Sequence, residues 1–262
     1  MFGRTSMITG LAMAVLLTAC VAPLAADEAL DKAIGSLTSY DWGNDRAALA
    51  PIDAAVAASH DDDAARKALE SRLAAILAGD APQAAKDFVC RQLSLIGSAA
   101  CVPAVAPLLT DEKLSHMARY ALERIPAAEA VKAMRDALPK VGGNLKIGVI
   151  NSLGVRRDAA SADALVALLG DSDAAIAAAA AAALGSIGDA KAAKALGDFR
   201  ENAPEALKMA AADACLVCAE RLLADGKKLE AMMIYKKLGT SDIKHVKLAA
   251  MRGLLAATGK NQ

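Results

Sequence analysis

The sequence of 262 residues has few aromatic side chains: three Phe, three Tyr and one Trp, or 3% of the chain. Aromatic and β-branched residues favour strands, so little material is left for a β-rich fold. Ala and Leu are abundant instead, and a hydrophobic fraction of 55% is enough to bury a large core. The composition therefore predicts an all-α protein.

An excess of either charge is also missing, since 30 Lys and Arg residues balance 30 Asp and Glu residues. Proteins that bind nucleic acid or an anionic surface through their overall field carry a clear positive excess. We therefore expect no nucleic-acid partner. A membrane contact would have to come from a separate feature of the chain.

Recognisable catalytic motifs are absent from the sequence, which contains no G-x-S-x-G, P-loop or dinucleotide fingerprint. His60, His116 and His245 are scattered, and no two of them share a metal-ligand spacing such as i, i+4. We therefore expect no catalytic residue, no metal site and no cofactor.

Cys215 and Cys218 have the spacing of a redox pair or of half a metal site. A metal site would need two more ligands, and a redox pair commonly opens a helix after a strand. Neither context is present, so we predict that both are buried as small hydrophobic residues. Cys90 and Cys101 lie at different distances from the turn between them, so no disulfide is expected there.

The N-terminal residues have the pattern of an export signal. Arg4 precedes an uncharged, mostly apolar run over residues 7–19, which is too short to span a bilayer. The run ends in LTAC, which resembles the lipobox of bacterial lipoproteins. The resemblance implies that residues 1–19 are removed and that a lipidated Cys20 holds the protein on the periplasmic side of a bacterial membrane. The alternative is cleavage after Ala26, which gives a soluble periplasmic or secreted protein.

A repeat with a period near 31 residues organises the rest of the chain. Similar segments align at intervals of 29, 31, 31 and 31, and a further copy follows after 39. Apolar residues recur at eight and four positions before each anchor, and small residues lie one position before five of the six anchors, which places them on one stripe of a helix. The anchors are Leu93, Leu122, Leu153, Leu184, Cys215 and Leu254.

Shorter helices are predicted between these copies, at 102–109, 127–138, 161–170 and 190–199. Each helix pair can bury its apolar face only against the next pair. The predicted fold is therefore an α-solenoid of about six antiparallel helix pairs over residues 81–262. Residues 27–80 are predicted to form an N-terminal helical cap.

The segment LVALLGDSDAAIAAAAAAALGSIGDAKAAKAL resembles HEAT repeats of the short, phycobilin-lyase-like variety. The hallmark D-x5-K of that family recurs as Asp80 with Lys86, and in weaker form as Asn202 with Lys208. The resemblance covers about residues 82–258 and implies that these lysines tie each turn to its helix. It implies a scaffold, which is an architecture that hosts many partners.

The helices that carry the anchor residues are the second helices of the pairs. Their surface opposite the buried stripe is the predicted concave binding face. It includes the positions six, three and two before each anchor, where later copies carry apolar residues such as Ile150 and Leu248. Burial of these two against neighbouring repeats is an equal alternative. The first two copies offer charged and aromatic groups suited to peptide recognition. The predicted partner-binding residues are Asp87, Arg91, His116, Arg119 and Tyr120.

These features together predict a non-enzymatic, exported scaffold that binds a protein or peptide partner and touches the membrane only through its lipid anchor. One alternative is a helical-repeat enzyme of the phycobilin-lyase-like type, for which Cys90 with His116 and Tyr120 is the candidate reactive group. Another is an accessory structural domain of a cell-surface enzyme complex.

Overall fold

A computed structural model describes residues 27–259 of the chain. The predicted signal peptide and Cys20 lie outside these residues. Residues 27–259 contain helices and no strand, which confirms the all-α prediction. None of the described helices is long and apolar enough to cross a membrane. The chain divides into two compact units, Met1–Ala104 and Val105–Gln262. The predicted boundary between cap and array, at residue 80, falls within the first unit.

The described part of the first unit begins with helix α1, over residues 27–36, followed by α2 (Ala50–Ala58), α3 (Asp63–Ala78) and α4 (Gln83–Ile96). Helix α5 (Val102–Val105) follows at the end of the unit. Helix α3 begins where the acidic run predicted a helix start. The Asp62 carboxylate accepts the backbone N–H groups of Ala64 and Ala65, each at 2.9 Å, and so caps the helix.

A buried carboxylate fastens α3 to the turn after α4. Glu70 is 2% exposed. It accepts hydrogen bonds from the Ser98 backbone N–H at 2.7 Å and from the Cys101 backbone N–H at 3.1 Å. The Ser98 hydroxyl donates to it as well, at 2.9 Å. A buried charge with this many donors is compensated, so Glu70 stabilises the turn instead of destabilising the core.

The second unit is a series of alternating helices. They are α6 (Ser115–Arg124), α7 (Ala128–Ala137), α8 (Gly143–Val155), α9 (Ala162–Leu168), α10 (Ala174–Ile187), α11 (Ala190–Asn202), α12 (Lys208–Ala224), α13 (Lys228–Leu238) and α14 (Lys244–Thr258). The even-numbered helices pack side by side in chain order, and α9, α11 and α13 do the same. This is the packing order of an α-solenoid, as predicted.

The predicted apolar stripe forms the core of the second unit. Leu122, Leu153 and Leu184 are fully buried, and Cys215 is 4% exposed. Leu254, the anchor of the last copy, is only half-buried because α14 packs against α12 and α13 and has no later helix beside it among residues 27–259. The repeat register read from the sequence is therefore correct for the inner helices.

Helix α10 packs so closely against α8 and against α12 that glycines in these contacts lie directly against the backbone of the neighbouring helix. A Cβ atom on Gly154 would lie 2.9 Å from the Ala183 Cα atom. A Cβ atom on Gly185 would lie 2.7 Å from the Ala214 carbonyl oxygen. Five of the nine alanines of α10 are buried, and these serve close packing, because larger side chains there would force the neighbouring helices apart.

The positions three before each anchor were predicted to face away from the core, and this is wrong at four of the six copies, whereas Arg119 is half-buried and Met251 is exposed. Cys90, Ile150, Ala181 and Ala212 are all buried. An inner helix such as α10 packs against α8, α9, α11 and α12, so its buried arc is wider than one stripe. Asp87, six before its anchor, is also buried because α4 packs against both α2 and α3.

The lysine contacts implied by the D-x5-K pattern also differ at one copy. Lys208 pairs with Glu205 at 2.6 Å, three residues earlier, and not with Asn202. The side-chain amide of Asn202 donates to the Asp198 carbonyl instead. The first residue of α12 is therefore paired with the turn that immediately precedes the helix.

Candidate functional site

Arg119, a predicted partner-binding residue, is half-buried and contacts the next repeat in its own unit. Its guanidinium donates to the Gly148 carbonyl at 3.2 Å and to the Ser152 hydroxyl at 3.4 Å. A Cβ atom on Gly148 would lie 2.6 Å from the Arg119 Cζ atom, so only glycine leaves room for the guanidinium. Burial lowers the pKa of Arg119, and the neighbouring Glu123 raises it. Arg119 therefore joins α6 to α8.

The same pair of helices has two further polar connections. The Ser152 hydroxyl donates to the Glu123 carboxylate at 2.6 Å. Arg156 donates to three carbonyls at the end of α6, those of Leu122 and Glu123, each at 3.2 Å, and that of Ile125. A cation at a helix C-terminus satisfies carbonyls that lack a partner within the helix and interacts favourably with the helix dipole. These contacts hold adjacent repeats in register.

His116 and Tyr120 lie on the surface of α6. His116 is exposed and Tyr120 is half-buried. The Arg124 guanidinium lies 3.7 Å from the centre of the Tyr120 ring, which is a cation–π contact. His116 and Tyr120 therefore have surface that a partner could contact, whereas Arg119 contacts the next repeat of its own unit.

The other two predicted residues, Asp87 and Arg91, belong to the first unit and lie on α4. They line a cleft of about 220 Å³, which we call the aromatic–arginine cleft. Its walls hold three of the few aromatic side chains of the sequence. The lining residues are Tyr40, Trp42, Arg46, Ala84, Asp87, Phe88, Arg91 and Gln92.

One carboxylate fixes the geometry of this cleft. Asp53 on α2 pairs with Arg46 at 2.8 Å and accepts from the Gln92 side-chain amide at 2.9 Å. The Arg46 guanidinium lies 4.6 Å from the centre of the Phe88 ring. Arg46 and Gln92 are thus held before any ligand arrives, which reduces the entropy lost on binding.

Three side chains of the cleft are exposed, and one of them, Arg46, already pairs with Asp53. Trp42 is 62% exposed and Arg91 is exposed. Within residues 27–259, no carboxylate forms an ion pair with Arg91. Sequence reasoning named Arg91 but missed Tyr40, Trp42 and Arg46. The single Trp of the chain was the available signal, because Trp is enriched where proteins bind one another.

A larger hollow of about 690 Å³ lies between α1, α2 and α3. Alanine is the commonest residue in its walls, which include Ala54, Ala55 and Ala65. Its one arginine, Arg72, already pairs with Asp31 at 2.5 Å. Methyl groups offer little directional recognition, so the aromatic–arginine cleft is the better candidate site.

The thiols of the described chain are buried and protonated. Cys90, Cys101, Cys215 and Cys218 are free and buried, as predicted for the last two. Burial raises the pKa of Cys90, Cys101 and Cys218 to about 12, and that of Cys215 to about 11. A thiol in this state is a weak nucleophile. Within residues 27–259, no group of three His, Cys, Asp or Glu side chains is placed to hold a metal ion.

Exposed apolar residues in the second unit match part of the predicted binding face. Met209 is 57% exposed, Leu248 51% and Met251 52%. The alternative that Leu248 is buried against a neighbouring repeat is therefore wrong, whereas for Ile150 it is confirmed.

Comparison with known proteins supports the repeat assignment. Residues 143–215, which cover α8 to the middle of α12, match the family described as HEAT repeats. No curated protein matches the sequence. Among solved structures, human deoxyhypusine hydroxylase in complex with glycerol is 13% identical, with a TM-score of 0.37 over 91% of this chain and 99% of that one. An engineered protein is 20% identical, with a TM-score of 0.32 over 88% and 98%. Similarities this loose carry no functional argument, and the family match identifies residues 143–215 as HEAT repeats within an all-α chain.

Proposed function

We propose that this protein is a non-enzymatic helical-repeat scaffold that binds a protein or peptide partner. The HEAT match supports the scaffold, because helical-repeat proteins generally act through extended binding surfaces. We place the binding site in the aromatic–arginine cleft and not on the concave face that the sequence predicted. Burial of Asp87 and engagement of Arg119 within the array leave fewer free groups on the original surface.

The observation that carries the proposal is that the exposed Trp42 and Arg91 line one cleft. Trp, Tyr and Arg supply most of the binding energy at protein interfaces, since they combine a large apolar area with directional contacts. Arg91 has no carboxylate partner among residues 27–259, so a ligand carboxylate would complete it. The partner segment is therefore acidic and carries an apolar side chain for Trp42.

The non-enzymatic part of the proposal has chemical support. The pKa of each thiol among residues 27–259 is raised, which disfavours the thiolate that nucleophilic catalysis requires. The polar cluster of Arg119, Glu123 and Ser152 is consumed by contacts between helices.

Trp42 makes the cleft self-reporting, because it is the only Trp in the chain. The experiment titrates the protein with a short peptide that contains Glu and Leu, and with a matched peptide in which Lys replaces Glu. We expect the acidic peptide to shift Trp42 emission and the Arg91→Ala variant to weaken its binding about tenfold. Arg252→Ala, an exposed arginine on α14, is the control. Equal responses to both peptides, or equal binding by the Arg91 variant, would contradict the proposal.

The proposal also places the protein outside the cytoplasm, anchored through Cys20 to the periplasmic side of a bacterial membrane. The support is the apolar run and the LTAC sequence that ends it. In fractionated cells, we expect Cys20→Ala to move the protein from the membrane fraction to the soluble fraction. An unchanged distribution with the wild-type protein already soluble would favour cleavage after Ala26 instead.

A further inference from the structure

A third cavity, of about 330 Å³, lies in the second unit between α11, α12 and α13. One face of α11 and one face of α13 form its walls, and Cys215 of α12 lines it between them. The apolar part of the lining consists mainly of Ala193, Gly197, Cys215, Met233, Ile234 and Leu238. This volume is at the lower end of the range for small-molecule sites, which begins at about 300 Å³.

Gly197 keeps this space open. A Cβ atom on Gly197 would meet nothing within 4 Å. Gly154 and Gly185 are different, because their missing side chains admit the backbone of a neighbouring helix. Glycine in the middle of a helix costs about 0.5–1 kcal/mol relative to alanine. Close packing explains that cost at positions 154 and 185 but not at position 197, where the glycine only enlarges the cavity.

Positive charge surrounds the apolar interior. Lys194 and Arg200 lie on α11 and Lys237 lies on α13, whereas Glu230 is the one acidic residue of the lining. Lys237 pairs with Glu201 at 3.5 Å. For Lys194 and Arg200, residues 27–259 provide no ion-pair partner. An anion bound at this rim would therefore gain attraction without breaking an existing pair at either residue.

From this arrangement we infer that the cavity binds a single-chain amphiphile with a carboxylate head group. The aliphatic chain lies in the apolar interior beside Cys215 and Gly197, and the carboxylate lies at the rim near Arg200 and Lys194. An aliphatic chain suits a lining that has no aromatic ring and in which every residue other than the four charged ones is apolar. The inference is independent of the aromatic–arginine cleft, which lies in the other unit.

Calorimetric titration of the full chain with decanoate, below its micellar concentration, tests this inference. Decyltrimethylammonium has the same chain length and the opposite charge, so it serves as the matched ligand. We expect decanoate to bind, and Arg200→Glu to weaken decanoate binding about tenfold without weakening the cationic amphiphile. Arg252→Glu is the control for a change of net charge. Absence of decanoate binding, or equal affinity for the two amphiphiles, would overturn the inference.

Gly197→Leu tests the location, since its side chain would occupy the cavity. We expect it to abolish decanoate binding while the circular dichroism spectrum is unchanged. A second readout does not depend on how this variant folds: in the wild-type protein, decanoate should slow alkylation of Cys215 by iodoacetamide, mapped by mass spectrometry, and leave Cys101 unaffected. Decanoate binding that survives Gly197→Leu, or that protects both thiols equally, would place the amphiphile elsewhere and overturn the inference.

Discussion

Gly185 on α10 lies against the backbone of Ala214 on α12, so closely that a Cβ atom on the glycine would be 2.7 Å from the alanine carbonyl oxygen. On the other side of α10, Ala183 lies in the same way against Gly154 of α8. Small residues therefore allow close contact of α10 with both α8 and α12. Because these contacts are already close-packed, a displacement of one of these helices must displace its neighbours.

The first prediction contrasts two glycine-to-alanine substitutions. Both replace a helical glycine, which by itself stabilises a helix by about 0.5–1 kcal/mol. Gly197→Ala has free space around it and should show this gain. Gly185→Ala must push α12 away and should lower the free energy of unfolding by about 1–3 kcal/mol. Urea denaturation measures both, and a Gly185→Ala variant as stable as Gly197→Ala would contradict the observed packing.

Much of this architecture was predictable from sequence, for a physical reason. The residues Leu122, Leu153 and Leu184 recur at a fixed period because each sits at the same point of contact between repeats. The width of the buried arc was not predictable from one helix. Ile150 and Ala181 are buried by helices on the flanks, and the hydrophobic period of a single segment carries no information about those neighbours.

The second prediction separates stability from binding at two arginines. Arg119→Met removes the bonds to Gly148 and Ser152 and should lower the free energy of unfolding by about 1–2 kcal/mol. Arg91→Met alters an exposed side chain and should change it by less than about 0.5 kcal/mol. Chemical denaturation of the two single variants provides the comparison. Equal destabilisation by both would show that Arg119 does not join α6 to α8 in solution.

The third prediction concerns the left-handed backbone at the ends of α8 and α10. Arg157 has a φ of 51°, where Gly188, 31 positions later, has a φ of 65°. A non-glycine residue pays roughly 1 kcal/mol for this conformation. The half-buried Arg157 forms a partly exposed ion pair with Asp225 at 2.7 Å, which offsets only part of that cost. Arg157→Gly should therefore leave the melting temperature unchanged or raise it.

Gly188→Ala is the counterpart of that substitution. The alanine would have to adopt the left-handed backbone conformation of Gly188. Its Cβ atom would also lie 2.3 Å from the Arg221 Cγ atom, so the melting temperature should fall. A thermal scan that ranks Gly188→Ala above Arg157→Gly would contradict this explanation.

The fourth prediction is a loss of stability in alkaline solution. Burial raises the pKa of Cys90, Cys101 and Cys218 from 9.0 to about 12, so these thiols stay protonated in the folded state. Between these two values the unfolded chain releases protons that the folded chain retains, and stability falls as pH rises above about 9. Each thiol contributes at most about 1.4 kcal/mol per pH unit in that interval.

Denaturation at a series of pH values measures this slope. The Cys218→Ala variant should be less stable at neutral pH, because it leaves a small void, and should show a shallower decline above pH 9. The same decline in this variant as in the wild-type protein would assign the alkaline effect to other groups.

The candidate site was less predictable than the fold. Arg91 could be named because it follows from the repeat register. Tyr40, Trp42 and Arg46 precede the repeats, and Arg46 is joined to α4 through Asp53 on α2, which contacts both Arg46 and Gln92. Contacts between segments that belong to no common period leave no pattern in a sequence, so the cleft emerged only from the structure.

Hydrogen exchange of the full chain, comparing the wild-type protein with Gly185→Ala, tests the coupling of the repeats most directly. If α8, α10 and α12 share one close-packed seam, the substitution should reduce amide protection in all three helices together. Loss of protection confined to α10, with α8 and α12 unchanged, would contradict the central claim that each repeat is stable only when it packs against its neighbours.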